Sequence, residues 1–506
     1  MAVATVASEK LPYGSWPSPI TARFITSSSV RLGGLNVDTK GQLYWLEGRP
    51  QEGGRQVVCK YDKGAPGSNE RGGVDVTPKD DNVRTRVHEY GGGAHTMHPA
   101  GGIIYSDFKT QRLFWAKDDG SVVALTPEDG DAGWPAGRYR FADGKVDPSG
   151  KRLVTVREDH GEKGDAAPVA VVNEVVSVAL DGSGAMTVLA TGRDFYAAPR
   201  VSPSGGHVAY VSWDHPSMPW DATELRVACL DGDGATASAS TASHILVDGA
   251  DADTSVLQPD WHPLTGALYY ISDSSGFYNL WRVPPPPEGA AAAGTYPHEA
   301  KACILPRAID FGGAAPGWQF GQQGYTFLND GRVAATYPDR AVDLFDGYSD
   351  KEQFRTAVKT AGLEFTTDAE IDAAFDQLDV NKDGRISAAE LNSEMRKLRP
   401  PSTGTTELLV FNEDTSGAAD VAAAVALSAT TYNGAADGLP HSFGGLAEAP
   451  DGTIYFLGGG PDSPAGVYAW KGLTGGPATP AELLFSSSNS EVPTSRWPSI
   501  ALHSPL

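Results

Sequence analysis

Apolar and polar residues alternate along most of this chain with the two-residue period of half-buried strands, and the alternating runs recur in one repeated setting. A turn carrying Pro, Asp or Gly is followed by such a run in NVDTKGQLYWLEG at 36–48, HPAGGIIYSD at 98–107, VDPSGKRLVTVRED at 146–159, VSPSGGHVAYVSWD at 201–214, WHPLTGALYYISD at 261–273, LNDGRVAATYPD at 328–339 and EAPDGTIYFLGG at 448–459. Successive copies lie some fifty to seventy residues apart, except for a longer last interval. Within most units a second strand follows, as in QRLFWAKD, NEVVSVALD, TELRVACLD, YNLWRVP and VYAWKGL. Two to four strands per unit, evenly spaced and rich in turn residues, predict antiparallel blades, and seven such units arranged radially predict a mainly β fold, a seven-bladed β-propeller. A large β-sandwich would also alternate strands with turns, but it has no reason to repeat one turn-plus-strand unit seven times. Tyr44, Trp45, Tyr210, Trp213, Tyr269, Tyr270, Tyr455 and Phe456 fall in the alternating runs, where large rings are expected to pack one blade on the next.

The long interval contains the one stretch whose period changes from two to 3.6. Thr367 and Glu370 have capping-box spacing, and Ile371, Ala374, Phe375 and Leu378 then recur on one helical face. The twelve residues that follow, DVNKDGRISAAE, place oxygen-bearing residues at positions 1, 3, 5, 9 and 12. A hard cation such as calcium takes six to eight oxygens at about 2.3–2.6 Å, and a loop of this spacing supplies them. Asp379, Asn381 and Asp383 offer side-chain oxygens, Arg385 its backbone carbonyl, Ser387 a direct or water-mediated contact, and Glu390 both carboxylate oxygens. Gly384 stands at position 6, where the chain turns sharply, and Ile386 at position 8 is the apolar residue expected to pair with a sister loop. Ser387 and Glu390 repeat the capping-box spacing ahead of an apolar stripe at Leu391, Met395 and Leu398, so the order is helix, loop, helix.

This segment resembles the EF-hand family, whose members usually come in pairs. Upstream, DLFDGYSDKEQFRTAVKTAG at 343–362 resembles the second half of a partner, with Phe354, Val358 and Ala361 on the buried side of a helix begun near Ser349 and Glu352. With Gly347 as its turn glycine, position 1 falls on Val342 and position 12 on Gln353, so the carboxylates that hold calcium are missing there. One working site in a pair is the expectation.

Composition narrows the partners. The net charge of −23 over 506 residues repels the phosphates of nucleic acid and gives no reason for attraction to an anionic membrane. No run reaches the roughly 18 apolar residues of a membrane helix, and the start, MAVATVASEKLPYG, is too polar for a secretory signal. Cytoplasm is the expected compartment, or an organelle where a targeting segment precedes this start. Cys59, Cys229 and Cys303 are far apart and odd in number, which reads as buried free thiols in a reducing compartment.

Beyond the EF-hand segment, YGSWPSPITA at 13–22, VRTRVHEYGGGA at 83–94, RYRFADG at 138–144, VREDH at 156–160, DFYAAPRVSPSG at 194–205, SWDHPSMPWDATELRV at 212–227 and GFYNLWRV at 276–283 resemble the amino-terminal propeller of the prolyl oligopeptidase family, in its acylaminoacyl-peptidase and dipeptidyl-aminopeptidase branch. The likeness runs from about 11 to 340 and resumes from about 403. It implies a non-catalytic propeller that covers the active site of a following α/β-hydrolase domain and filters which peptides reach it. Two departures stand out: the EF-hand segment interrupts blade six between its second and third strands, and no G-x-S-x-G nucleophile elbow occurs, the chain stopping at Leu506 roughly where the family crosses into its catalytic domain.

The expected division is therefore 1–340 for the first part of the propeller, 341–402 for a small α-helical EF-hand pair, and 403–506 for the rest of blade six and blade seven. Calcium binding on a non-catalytic scaffold with a peptide or protein partner is the first expectation. The propeller of a serine peptidase whose hydrolase domain lies outside this chain is the alternative. Other candidate chemistry is thin. His88 and Glu89, beside a glycine run, line a pore or pack between blades. His95 and His98 are three apart with no third ligand in view, and Asp214, His215 and Asp221 read as turn residues and salt-bridge partners rather than a triad.

Overall fold

In the computed structural model the described residues run from 29 to 488, apart from internal stretches of which 339–348, 356–366, 387–405 and 413–428 are the longest. Seven four-stranded antiparallel sheets follow one another along the chain, spanning 31–75, 95–124, 139–190, 195–248, 256–303, 325–433 and 442–486. Within each sheet the strands pair in sequence order, and first strands pack against first strands of neighbouring blades around a central axis. The fold is a seven-bladed β-propeller, and each repeated turn of the sequence joins the first and second strands of one blade.

Blades stacked on both sides bury both faces of their middle strands, so consecutive residues serve opposite neighbours. In His207–Trp213, Val208 and Tyr210 pack toward blade three while Ala209 and Val211 pack toward blade five. Ile103 faces blade one and Ile104 blade three, and Tyr269 faces blade six while Tyr270 faces blade four. The result is seven apolar clusters, one at each blade interface. All the aromatic residues expected in blade packing are buried, except Tyr455, which is half-buried. The cysteine expectation is corrected in part: Cys59 is buried, Cys303 half-buried and Cys229 exposed at the end of its strand, where no blade covers it.

The innermost strands carry a second regularity. In blades one, three, four, five and seven the pairing of first and second strands slips by one residue, and a left-handed residue opens the bulge: Gly34, Asp143, Ala198, Gln258 and Gly445. Such a bulge sets two residues against one and sharpens the local twist. The second-strand residue facing it is a large ring in four of these blades, Trp45, Tyr210, Tyr270 and Phe456, each buried.

In blade six the helical segment lies between the second and third strands. The blade's second strand, Val333–Pro338, pairs along its whole length with Thr406–Phe411, from Val333 against Phe411 to Pro338 against Thr406. The chain thus leaves and returns at adjacent positions of one ladder, so the excursion leaves the blade's hydrogen bonding intact. Among the described residues blades seven and one close the ring without sharing a strand. Leu35, Trp45, Val57 and Cys59 pack on Val467 and Phe485, and Val30 N–H donates to the Ser487 carbonyl at 2.8 Å. Because this seam rests on apolar packing, Phe485→Ala should lower stability by about 3–5 kcal/mol, read as a drop in the urea midpoint at unchanged m-value.

Candidate functional site

The calcium-loop candidate is built from its helix upward. The helix Asp368–Leu378 opens on Thr367, whose hydroxyl accepts from Glu370 N–H while the Glu370 carboxylate accepts from Thr367 N–H, the capping box expected from the sequence. Ile371, Phe375 and Leu378 are buried with Phe354 in a small core of their own, with Ala374 at its edge. Arg355 grips Asp372 through two hydrogen bonds of 2.5 and 2.6 Å, tying the upstream helical residues to this helix.

The helix delivers Asp379 at its C-terminal end, and the Asp379 carboxylate turns back to accept from Gly384 N–H at 2.9 Å. Lys382 and Gly384 both take left-handed conformations, with φ of 56° and 81°, and wind the chain tightly around that carboxylate. Beyond the turn, Arg385–Ile386 pairs with Ser349–Asp350, Ile386 standing against Ser349. With Gly347 at position six of the upstream loop, Ser349 is its position eight, so the two loops meet at matching positions. Of the six ligand positions, Asp379 is described in full and is buried, and Arg385 in its backbone. Asn381, Asp383, Ser387 and Glu390 lie outside the described residues, as do Val358, Ala361, Leu391, Met395 and Leu398. Among the described residues no three His, Cys, Asp or Glu side chains cluster as metal ligands.

Propeller topology defines a second region. Connections from second to third strand, and from each blade to the next, all emerge on one face; that face carries the insertion of blade six, the loops 160–171 and 214–223, and the stretch 83–94. His88 and Glu89, both with positive φ, sit there. The His88 ring packs among Phe195, Trp213 and Phe320 at centroid distances of 5.2, 5.7 and 4.8 Å, which settles it as a packing residue. Burial holds its pKa below the ordinary imidazole value, against the pull of Glu158. Glu89 is exposed and bonds Arg140 at 2.6 Å. Beside it, Tyr90 and Trp220, both exposed, flank Trp318. Asp214 pairs with Arg193 and accepts from Asp194 N–H, and Asp221 accepts from Met218 N–H; these are loop-building contacts, as expected.

His98 stacks on Trp115 and His95 bonds Asn36 and the Gly34 carbonyl, so the two histidines serve different neighbours and form no metal pair. Burial pushes the His95 pKa down to about 4. Nothing in the alternation pattern marks the charges that share the innermost strands with His95: Asp143 and Lys145 of blade three, Arg200 of blade four and Asp260 of blade five. Their positions in the bulged strands could have flagged them, had the bulges been legible.

Comparison with known proteins agrees with both parts. The EF hand family model matches residues 371–395. No curated protein is significantly similar. Among solved structures, a puromycin-hydrolyzing peptidase of Mycobacterium tuberculosis is 27% identical with a TM-score of 0.65, the match covering 96% of this chain and 57% of that one. A puromycin hydrolase at 22% identity and TM-score 0.64 gives the same coverage and the same fold. The chain therefore spans little more than half the length of the peptidases it resembles.

Glu158 tests the electrostatics of this face. Burial raises its pKa, but hydrogen bonds from His160 at 3.0 Å and from His88 N–H at 2.8 Å outweigh that and hold it below the usual carboxylate value. A depressed carboxylate stabilises the fold above its unfolded pKa, and the contribution is lost as pH falls through the folded value. Glu158→Gln should cost about 1–3 kcal/mol at pH 7 and progressively less toward pH 3, measured by urea denaturation at each pH.

Proposed function

We propose that this chain binds one calcium ion through the loop 379–390, with Asp379, Asn381, Asp383, the Arg385 carbonyl, Ser387 and Glu390 as ligands, on a propeller with no chemistry of its own. The observation that carries the reading is the closure of Asp379 onto Gly384 N–H in a loop whose eighth position pairs with that of a sister loop. In such a turn the position-one carboxylate both ligates the ion and braces the loop. The ion would supply charge to neutralise the acidic loop and a fixed point joining its two flanking helices. Residues 341–402 form the calcium module in this reading, with 1–340 and 403–506 as the propeller, and the cytoplasm as the compartment. Calorimetry should find a single site with Kd of roughly 10⁻⁷–10⁻⁵ M. Glu390→Gln, which removes the bidentate ligand, should weaken it by at least about tenfold, or 1.4 kcal/mol. Two equal sites, or an unchanged Kd in that variant, would overturn the assignment.

A second reading is favoured by the likeness to the puromycin-hydrolyzing peptidase over 96% of this chain. In it, the chain is the substrate-filtering propeller of a serine peptidase of the acylaminoacyl-peptidase and dipeptidyl-aminopeptidase branch, the α/β-hydrolase domain lying outside these residues. A serine in this chain has no nucleophile elbow to expose and activate it. The purified chain should take up no serine-directed fluorophosphonate label, whereas the same chain joined to a hydrolase domain should label at one serine of that domain.

A further inference from the structure

Two connections from opposite sides of the ring meet on the face that carries the insertion. The stretch 87–93 leads from blade one into blade two and 317–322 from blade five into blade six, so four blades separate them one way round and three the other. Segments so placed meet only across the axis. There Phe320 N–H donates to the Gly91 carbonyl at 3.1 Å, and Gly92 and Phe320 form a parallel bridge. The first arm also reaches blade three, where His88 N–H donates to the Glu158 carboxylate at 2.8 Å and the Gly93 carbonyl accepts from Asp143 N–H at 2.8 Å. A cavity of about 40 Å³ lies between the second arm and the bulged innermost strands, lined among others by Gly317, Phe320 and Gln322 of the arm and by Asp143, Arg200 and Gln258 of blades three to five.

The crossing is too tight for side chains. Gly91, Gly92 and Gly93 have φ of 71°, 91° and 56°. A Cβ on Gly92 would stand 2.3 Å from the Phe320 carbonyl oxygen, and one on Gly93 would stand 2.9 Å from the Asp143 Cα. Three glycines in a row let one backbone lie directly on another. Rings fasten the arms on both sides of the crossing: His88 packs on Phe320 at a centroid distance of 4.8 Å within, and Tyr90 and Trp220 flank Trp318 at 5.9 and 4.8 Å on the solvent side. Neither arm is a strand of any blade's sheet, so parting them breaks no ladder bond. Segments held in this way open locally at a lower free energy than the sheets beneath them.

We propose that the two arms form a strap that shuts the axial channel on this face and opens without unfolding a blade. Shut, the strap leaves the cavity room for waters alone. Open, it bares the polar wall of Asp143, Arg200 and Gln258 to whatever approaches from the face of the insertion. The proposal rests on neither the calcium reading nor the peptidase reading, because opening is measured in the chain by itself.

His88 reports on the strap, because its Nε2 is out of reach of solvent while the arms are together. Acylation of His88 by diethyl pyrocarbonate, read by peptide mass spectrometry on the full chain, should be at least about tenfold slower than that of the exposed His215. Gly92→Ala, whose Cβ meets the Phe320 carbonyl, should speed the reaction of His88 about tenfold. Gly120→Ala, at a left-handed φ of 84° but with open space around its Cβ, should leave that rate unchanged. Tyr90→Ala removes the outer fastening from an exposed position and should speed the reaction about threefold, which decides the matter where Gly92→Ala does not fold. Hydrogen exchange in the ladder of 152–159 against 172–179 should match the unsubstituted chain throughout. A His88 as reactive as His215 in the unsubstituted chain, an unchanged rate in the folded variants at Gly92 and Tyr90, or acceleration only in step with ladder exchange would overturn the proposal.

Discussion

Everything in this molecule depends on each blade being buried on both sides. A strand in an ordinary two-layer sheet can present one face to water, but Val208, Ala209, Tyr210 and Val211 have to satisfy blade three and blade five in turn. That double burial gives each of the seven interfaces its own cluster and leaves no interface that can be lost without opening the ring. Among the described residues no strand is exchanged between blades seven and one, and the seam there is held by the same kind of contact as every other, with Phe485 and Val467 against Trp45 and Val57.

The same constraint explains where the chain can carry additions. A blade's packing surfaces are its two faces, so its connecting turns are free of the core. The excursion after Pro338 departs from a turn and returns beside its point of departure at Thr406. The described part of the inserted segment brings its own apolar residues, Phe354, Ile371, Phe375 and Leu378, which form a cluster separate from the seven of the blades. A module with its own core can move or rearrange with little disturbance to the ladder that anchors it. It leaves on the propeller face that also carries His88, Glu89 and the exposed rings of Tyr90 and Trp220.

Polar chemistry is concentrated where blades cannot pack, at that face and along the axis. On the face, Glu158 collects His160 and the His88 backbone, and Arg140 reaches Glu89. Along the axis the first strands converge, and there is no room for seven flat edges; the bulges that relieve this turn residues such as Asp143 and Gln258 out of the alternating pattern. Charge is tolerated there because Asp143 and Arg200 neutralise each other.

The periodicity of the sequence determined the blade count, the position of each first turn, the interruption of blade six and the capping box at Thr367, because all of these are local: two residues for a strand, four for a cap, one loop for a turn. The turn at Gly384 was legible for the same reason, and the spacing that put Ile386 at the eighth position of the loop also anticipated a strand partner for it, which is Ser349. Burial of Cys229 was misjudged because exposure at a strand's end depends on where the next blade stops. The bulges, and with them the gathering of Asp143, Lys145, Arg200 and Asp260 across three blades, were invisible for a deeper reason. Residues more than fifty positions apart meet there only after the ring has closed, and a single residue's slip in register, which no alternation pattern records, decides which of them face the axis.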